Sequence, residues 1–390
     1  MSLAGSINRQ TRTGETAKAV THVLPVGQRL LSLDFLRGVI MTVLILGETG
    51  VFQKLPVAFN NSFTRFLSAQ FEHSKWRGLH IWDILLPAFM LMAGTSMAYS
   101  FKRQKEQPDY TWSRSFNKIL KRSFWLLFWG VLIYSVRDNH LNFQLSNVLT
   151  QLAFTTLFSF FVINLKVEWQ LIASVACLLI PELLYRSIHI PGFDEPFVKN
   201  RNVGAYIDSI ILSNFDDNHG TNSINFIAST AHTIWGLMAG QLLLSGKRSY
   251  HKLSRIAIFG FIILVLGFAL DLTNITPMLK WISTSSFVLA TGGITLIILA
   301  ICYEWIDIRK HQRGLMPFTV VGMNSIFIYL FFIFIGAKWL YGYANTLIVG
   351  LLNLLSVPFE VGAIISCLAV FAAEWYLCYF LYKKKLFFKL

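Results

Sequence analysis

Long apolar stretches recur along this chain from residue 38 to residue 382, with polar connections between them. Each stretch is close to the roughly 20 residues that a helix needs to cross the hydrocarbon core of a bilayer. The pattern predicts an all-α fold, a polytopic transmembrane helix bundle of about ten spans. The predicted spans are residues 38–54, 82–101, 118–136, 147–165, 169–186, 224–245, 256–273, 285–304, 318–340 and 361–382.

Two connections on one side of the predicted membrane are much longer than the others. Residues 55–81 join the first two spans, and residues 187–223 join the fifth and sixth. Both are polar with scattered aromatic residues, which is typical of loops that fold over a pocket. The domain organisation that we predict is a polar N-terminal segment, residues 1–36, followed by a single transmembrane domain, residues 37–390.

The composition agrees with a membrane protein and not with a soluble one. Of the 390 residues, 54% are hydrophobic and only 14% are charged, a smaller charged share than soluble proteins have. The first thirty residues contain no apolar core before a cleavage site, so we expect no signal peptide. The four cysteines all lie inside apolar stretches, so the sequence predicts neither a disulfide framework nor a metal site.

The basic residues predict the orientation of the bundle. With a cytoplasmic N-terminus, 23 lysines and arginines fall on the inner side and 10 on the outer side, leaving out Arg37 at the mouth of the first span. This bias predicts that both termini face the cytoplasm. The net charge of +14 therefore indicates topology and contact with anionic lipid, and we expect no nucleic-acid partner.

Several ionisable residues approach the predicted outer face. Glu48 lies near the end of the first span, His73 and His80 precede the second, and Asp83 stands in its first turn. A histidine titrates near neutral pH and a carboxylate can orient it, so the group could perform acid–base chemistry. Contact with lipid headgroups is the other interpretation; for His73 both remain open, and for His80 the interfacial role is favoured.

Two more ionisable residues lie deeper in the predicted spans. His232 shares its span with Gly236 and Gly240, which indicates close helix packing around a hydrogen-bonded histidine. Glu374 lies at about the middle of the last span, where a proton-carrying role and a helix–helix hydrogen bond are both open.

At the predicted cytoplasmic face, Asp34 and Arg37 are one helical turn apart. This spacing fits an ion pair at the start of the first span, and it equally fits an arginine that holds a phosphate-bearing ligand. The chain has no P-loop, no HExxH and no GxSxG motif, so nucleotide hydrolysis and zinc chemistry are poorly supported.

Four stretches together resemble one family. They are RLLSLDFLRGVIMTVLILGE, FEHSKWRGLHIWDILLPAFMLMAGTSMAYS, KWISTSSFVLATGG and MPFTVVGMNSIFIY. They are similar to the heparan-α-glucosaminide N-acetyltransferase family of polytopic membrane acetyltransferases, and the match is nearest to its bacterial branch. The similarity runs in order from about residue 29 to the last span, and its core is the pair of motifs SLDxxRG and HxxWxG.

The resemblance implies transfer of an acetyl group from cytoplasmic acetyl-CoA to the amine of a glucosamine-type sugar at the outer face. It assigns the catalytic histidine to His73, the following aspartate to Asp83, and the SLDxxRG pair to Asp34 and Arg37. Glu48 stands where lysosomal relatives have a second active-site residue, an asparagine. The implied location is the bacterial inner membrane, with CoA, an amino sugar and the lipid bilayer as partners and no metal cofactor.

We expect direct transfer, in which neutral His73 removes the proton of the attacking amine and Glu48 or Asp83 holds the imidazole. Asn324 is the candidate donor to the thioester carbonyl, and an acetyl-histidine relay is the rival mechanism. Two alternative functions remain open. The first is a proton-coupled transporter of an amino sugar or small anion, whose proton relay would be Glu48, Asp83, His232 and Glu374. The second is an O-acyltransferase of envelope glycans. Small residues in the spans permit a homodimer without requiring one.

Overall fold

The computed structural model describes residues 30–211 and 221–388 of the chain. Within those residues the fold is helical, and the sole strand-type pairing is one antiparallel bridge between Arg77 and Leu279. The α-helices are α1 Leu31–Glu48, α2 Val51–Ala58, α3 Ser62–Gln70, α4 Ile81–Lys105, α5 Trp112–Asp138, α6 Val148–Phe161, α7 Val167–Ser187, α8 Val203–Ile211, α9 Phe226–Leu244, α10 Ser249–Leu272, α11 Ser285–Cys302, α12 Met316–Met323, α13 Ser325–Phe331, α14 Tyr341–Asn353 and α15 Phe359–Lys383. Two π-helical segments, Tyr303–Ile308 and Phe332–Leu340, continue α11 and join α13 to α14.

Seven helical segments in the described residues are long and apolar enough to cross a bilayer, so the chain has the character of a multi-pass membrane protein. Helices α1 and α2 meet at 53° and make an eighth if they form one broken span. The other predicted spans correspond to α6, which has only 14 residues, and α9, which is not among the seven. The expected count of ten spans and the orientation of the termini therefore remain predictions.

Helix α9 is surrounded by protein, and most of its residues are buried. It packs against α4 along a seam of small residues, where a Cβ on Gly236 would lie 2.0 Å from the carbonyl oxygen of Leu91. A Cβ on Gly94 would approach the Thr233 carbonyl equally closely. Such seams let two backbones approach closely, as the glycines of this span predict. Helices α4, α9 and α11 thus form the centre of the bundle.

The peripheral helices show the opposite pattern. Only 22% of the most apolar window is buried in each of α5, α7 and α10, against 67% in α4. Their outward faces carry large apolar side chains, such as Phe124 on α5 and Phe261 on α10. A hydrophobic surface of this extent is suited to lipid rather than to water.

The first helix packs against two neighbours that carry functional candidates. A Cβ on Gly38, the last residue of SLDxxRG, would lie 1.9 Å from the carbonyl oxygen of Phe318 in α12. At the other end of α1, Gly47 lies against the indole of Trp82 at the start of α4. Helices α1 and α4 are therefore antiparallel neighbours. We call the end where α1 finishes and α4 begins the upper end of the bundle, and the opposite end the lower end.

Candidate functional site

At the upper end, Asp83 occupies the third position of α4 and completes the start of that helix. Its Oδ2 accepts the backbone N–H groups of His80 at 3.1 Å and Ser74 at 3.2 Å. His80 is the N-cap residue, and the pair forms a capping box that satisfies backbone donors at the helix start. A carboxylate in the first turn is also favoured by the helix dipole. These contacts explain how a carboxylate that is only 1% exposed is tolerated at this position.

The second oxygen of the same carboxylate holds the imidazole of His73. Asp83 Oδ1 lies 3.0 Å from His73 Nδ1. Because a carboxylate only accepts hydrogen bonds, Nδ1 carries the proton and Nε2 presents its lone pair. The His73 side chain is 43% exposed while that of Asp83 is fully enclosed, so the pair is anchored in the protein and open on the histidine side.

The loop between α10 and α11 lies beside this pair, and three contacts hold it there. Gly78 N–H donates to the carbonyl oxygen of Met278 at 3.0 Å, next to the antiparallel bridge at Arg77. Arg77 also forms an ion pair with Asp271, with Nε 3.0 Å from Oδ1. Gly78 has φ +125°, in the region that favours glycine, which accounts for the glycine of HxxWxG.

Two tryptophans connect the segment around His73 with other loops at the upper end. The indole N–H of Trp281 donates to the carbonyl oxygen of Ser74 at 2.9 Å, and its ring meets the His73 ring edge to face at 5.5 Å. The indole N–H of Trp76 donates to the carbonyl oxygen of Phe197 at 2.9 Å. The long connections 55–81 and 187–223 are therefore joined by a tryptophan, rather than lying apart at a membrane surface.

The same loop places Lys280 against the dyad. Its Nζ lies 3.1 Å from Asp83 Oδ1 and 3.1 Å from His73 Nε2, and it also contacts Nδ1 of the same ring. Burial lowers the pKa of Lys280 to about 8, although the carboxylates of Asp83 and Glu48 oppose this shift. An ammonium group thus lies against the His73 ring and shares Asp83 Oδ1 with Nδ1, in a partly shielded site.

The histidine itself is tuned toward its neutral form. Loss of water around the ring lowers the pKa of His73, and the hydrogen bond to Asp83 acts against this shift. The positive charge of Lys280 lowers the pKa further, because it opposes a second cation nearby. A neutral imidazole that is fixed through Nδ1 can accept a proton at Nε2, which is the arrangement of a general base.

Glu48 lies near this cluster but does not bond to it. Its side chain is exposed and within electrostatic range of Lys280, and it makes no hydrogen bond to another described residue. The predicted choice between Glu48 and Asp83 as the partner of the imidazole therefore has a geometric answer, because the hydrogen bond to Nδ1 comes from Asp83.

The second pair of predicted residues, Asp34 and Arg37, lies at the lower end. Arg37 NH1 is 3.7 Å from Asp34 Oδ1, and NH2 donates to the hydroxyl of Ser96 on α4. Both side chains are partly exposed, at 24% for Arg37 and 16% for Asp34. Arg37 and Glu48 are eleven positions apart on α1, a rise of about 16 Å along the helix.

Asn324 is not among the residues that contact His73. It follows α12 directly, where Gly322 packs against the backbone of Asp34 and Gly38 near the start of α1. Its amide nitrogen donates to the carbonyl oxygen of Leu386 at 3.3 Å, and its oxygen accepts the N–H of Phe388 at 3.0 Å. In this structure Asn324 holds the C-terminal tail, so its assignment as a donor to a thioester carbonyl stays a prediction.

The remaining ionisable candidates lie apart from the dyad. His232 is buried, with Nε2 3.0 Å from the hydroxyl of Thr291 on α11, in agreement with a packed, hydrogen-bonded histidine. Glu374 is buried on α15 against Gly336 of the second π-helical segment. Neither residue contacts His73 or Asp83 in the described part of the chain.

Sequence reasoning missed Lys280, which it counted only as a basic residue of an outer loop. The contact between Lys280 and His73 joins residues 207 positions apart, so no local pattern could have predicted it. A signal was present, because the stretch KWISTSSFVLATGG begins at Lys280 and carries part of the family resemblance. The adjacent Trp281 contacts the same histidine.

No group of three or more histidine, cysteine or acidic side chains in residues 30–211 and 221–388 is arranged to hold a metal ion. The chemistry that the described side chains can perform is proton transfer at His73 Nε2, next to a cation that can stabilise developing negative charge. Neither the models of known protein families nor the curated proteins give a match to this chain.

Proposed function

We propose that this protein is a membrane acetyltransferase that moves an acetyl group from acetyl-CoA to the amine of a glucosamine-type sugar. The observation that carries the proposal is the position of His73. Asp83 holds its Nδ1 at 3.0 Å, and the primary amine of Lys280 lies against the ring, in contact with Nδ1 and 3.1 Å from Nε2. A site that already accommodates one amine beside a base is chemically suited to a second one.

The proposed reaction is a direct transfer. The nitrogen of the sugar amine attacks the thioester carbonyl carbon while Nε2 of His73 removes a proton from that nitrogen. The new C–N bond forms, the C–S bond breaks, and the proton passes from His73 to the leaving thiolate. Asp83 stabilises the imidazolium that forms in between, as the carboxylate of a catalytic triad does.

In this reaction Lys280, rather than Asn324, stabilises the thioester carbonyl oxygen. When the acceptor amine occupies the space beside Nε2, the ammonium group of Lys280 remains close to Asp83, 3.1 Å from Oδ1. A cation at that distance can stabilise the negative charge that develops on the thioester oxygen. The negative charge of Glu48, exposed at the same end, would attract the ammonium form of the acceptor, which gives one proton to water before the neutral amine attacks.

The proposed route for the donor runs along α1. Arg37 at the lower end would hold a phosphate group, and the pantetheine arm would extend toward the dyad over the ~16 Å between Arg37 and Glu48. The bias of basic residues predicts that the lower end faces the cytoplasm. The donor would then come from the cytoplasm and the acceptor from the opposite side, at the inner membrane of a bacterium.

The proposal is tested with purified protein in detergent micelles, supplied with acetyl-CoA and glucosamine. We expect N-acetylglucosamine, identified by mass spectrometry of the product. The His73→Ala variant should reduce the rate by about 100-fold or more, whereas the exposed neighbour Lys75, changed to Ala, should leave it unchanged.

Three experimental outcomes would contradict the proposal. Full activity of His73→Ala would remove His73 from its assigned role. Acetylation of sugar hydroxyls instead of the amine would identify an O-acyltransferase. Uptake of the unmodified sugar into proteoliposomes without CoA would identify a transporter.

A further inference from the structure

A notch in the protein surface lies where the second π-helical segment passes into α14. Its volume is about 350 Å³, and its lining residues are Lys338, Trp339, Gly342, Tyr343 and Thr346. Gly342 keeps the notch open, because a Cβ at this position would have no other part of the fold within 4 Å. The proposed acetyl transfer uses none of these residues, and sequence reasoning counted Lys338 only as a basic residue on the outer side.

Two contacts place this notch at the upper end of the bundle. Tyr341, which precedes Gly342, packs against the apolar cluster that contains Val51 of α2. Lys54 of the same helix has its Nζ 5.1 Å from the centroid of the Tyr341 ring. Helix α2 follows the upper end of α1, so the notch lies at the level where α1 ends. Tryptophan, tyrosine and lysine at the end of an apolar helix are typical of the membrane–water interface, where lipid headgroups lie.

The notch presents hydrogen-bond donors that the protein itself does not use. The ammonium group of Lys338, the indole N–H of Trp339 and the hydroxyl of Tyr343 have no hydrogen-bond or ion-pair partner in residues 30–211 and 221–388. All three side chains are exposed, and no acidic residue lines the notch. A lysine with largely apolar surroundings is unfavourable without an anion, so the notch is suited to an anionic group that has acceptor oxygens.

The surface beside the notch indicates what carries this anionic group. Ile335, one turn before Lys338, is 45% exposed, and Leu347 and Leu351 further along α14 are 66% and 65% exposed. A small soluble anion would leave these apolar side chains uncovered, whereas the acyl chains of a lipid would cover them.

We infer that this notch binds the headgroup phosphate of an anionic phospholipid. Lys338 would make a charge-assisted hydrogen bond to a phosphate oxygen, and Trp339 and Tyr343 would donate to the remaining oxygens. Gly342 would let the phosphate approach the helix closely. The acyl chains would then extend along Ile335 toward the middle of the bundle.

The test measures lipid binding to the full-length protein in detergent micelles by native mass spectrometry. The probes are dioleoyl phosphatidylglycerol, which is anionic, and dioleoyl phosphatidylcholine, whose cation offsets its phosphate. We expect the wild type to bind the anionic lipid about 10-fold or more tightly. Lys338→Gln should remove this preference, since a lost hydrogen bond to a charged group weakens binding by about 10- to 100-fold. Gly342→Leu should weaken binding as well, because its side chain fills the notch without meeting the rest of the fold.

Lys75 provides the matched control. It is exposed at the same end and carries the same charge, so Lys75→Gln should keep the lipid preference of the wild type. Equal binding of the two lipids by the wild type, or an undiminished preference in Lys338→Gln, would overturn the inference. So would a dimer in lipid-free micelles that Gly342→Leu separates, because this surface would then contact a second copy. The acetyl-transfer assay tests the proposed function separately, so each can fail without the other.

Discussion

At the scale of single residues, the His73 ring contacts both a carboxylate, that of Asp83, and an ammonium group, that of Lys280. Asp83 fixes the tautomer through Nδ1, and Lys280 lowers the tendency of the ring to become a cation. Asp83 therefore orients the ring and leaves Nε2 as the basic nitrogen, while Lys280 and burial favour the neutral imidazole. Since Asp83 also caps α4, the orientation of the histidine is fixed by the same group that begins the helix.

These neighbours predict a bell-shaped pH profile for acetyl transfer. The pKa of His73 lies below its ordinary value, so activity should rise on an acid limb below about pH 6.5, as the imidazole becomes neutral. Lys280, with a pKa of about 8, loses its charge above that pH, so activity should fall on an alkaline limb near pH 8. Lys280→Arg keeps the charge at higher pH and should move only the alkaline limb upward. An alkaline limb that stays in place in this variant would show that Lys280 does not produce it.

Replacing Asp83 by asparagine should separate the orientation of His73 from the capping of α4. The amide of Asp83→Asn can donate to Nδ1, which moves the imidazole proton to Nε2 and removes the base. We expect the rate to drop by about 100- to 10,000-fold while the melting temperature changes little, because the amide oxygen still caps the helix. Glu72→Gln, an exposed change in the same loop, is the control for both measurements. A variant that is equally inactive and unfolded would show that Asp83 is chiefly structural.

At the scale of helices, the sequence predicts elements well where polarity changes at their ends. The second span was expected at 82–101 and α4 covers Ile81–Lys105, because Asp83 and a run of basic residues mark its limits. The span expected at 318–340 is displaced, since the chain breaks at Asn324 and then stays helical to Asn353. The predicted span ends at residue 340 because α14 contains polar residues. The helix continues through them, since its backbone hydrogen bonds do not depend on side-chain polarity.

Helix α15 contains a buried carboxylate, that of Glu374, whose effect on stability can be measured. Both carboxylate oxygens of Glu374 are buried without a hydrogen-bond partner in the described part of the chain. Glu374→Met removes both unpaired oxygens at a similar size, so it should stabilise the protein by about 1–3 kcal/mol, measured by thermal unfolding in detergent. Glu360→Met at the start of the same helix should not stabilise, since the helix dipole favours a carboxylate there. A loss of stability in Glu374→Met would indicate a partner for that carboxyl group.

At the scale of the whole molecule, the candidate site depends on contacts that join distant parts of the chain. His73 and Asp83 could be predicted as a pair, because only ten residues separate them in sequence. Lys280 and Trp281 could not, because their positions beside His73 follow from loop pairing. The charge bias predicts which end faces the cytoplasm, and helix packing determines which side chains meet at each end.

The predicted orientation can be measured with single cysteines and a membrane-impermeant maleimide on intact cells. Asp194→Cys, exposed in the long connection at the upper end, should be labelled from outside. Gln312→Cys, exposed between α11 and α12, should be labelled only after the membrane is permeabilised. The unmodified chain, with its four native cysteines, gives the background. The reverse labelling pattern would invert the bundle and place the dyad at the cytoplasmic face.

The central claim is that a base at the upper end and a donor site at the lower end act on one acetyl group across the membrane. It is tested most directly in sealed, oriented proteoliposomes, with labelled acetyl-CoA only at the lower side and glucosamine only at the upper side. The account predicts labelled N-acetylglucosamine in the glucosamine compartment, formed about 100-fold or more slowly with His73→Ala. Product on the acetyl-CoA side alone, or unchanged product with His73→Ala, would contradict it.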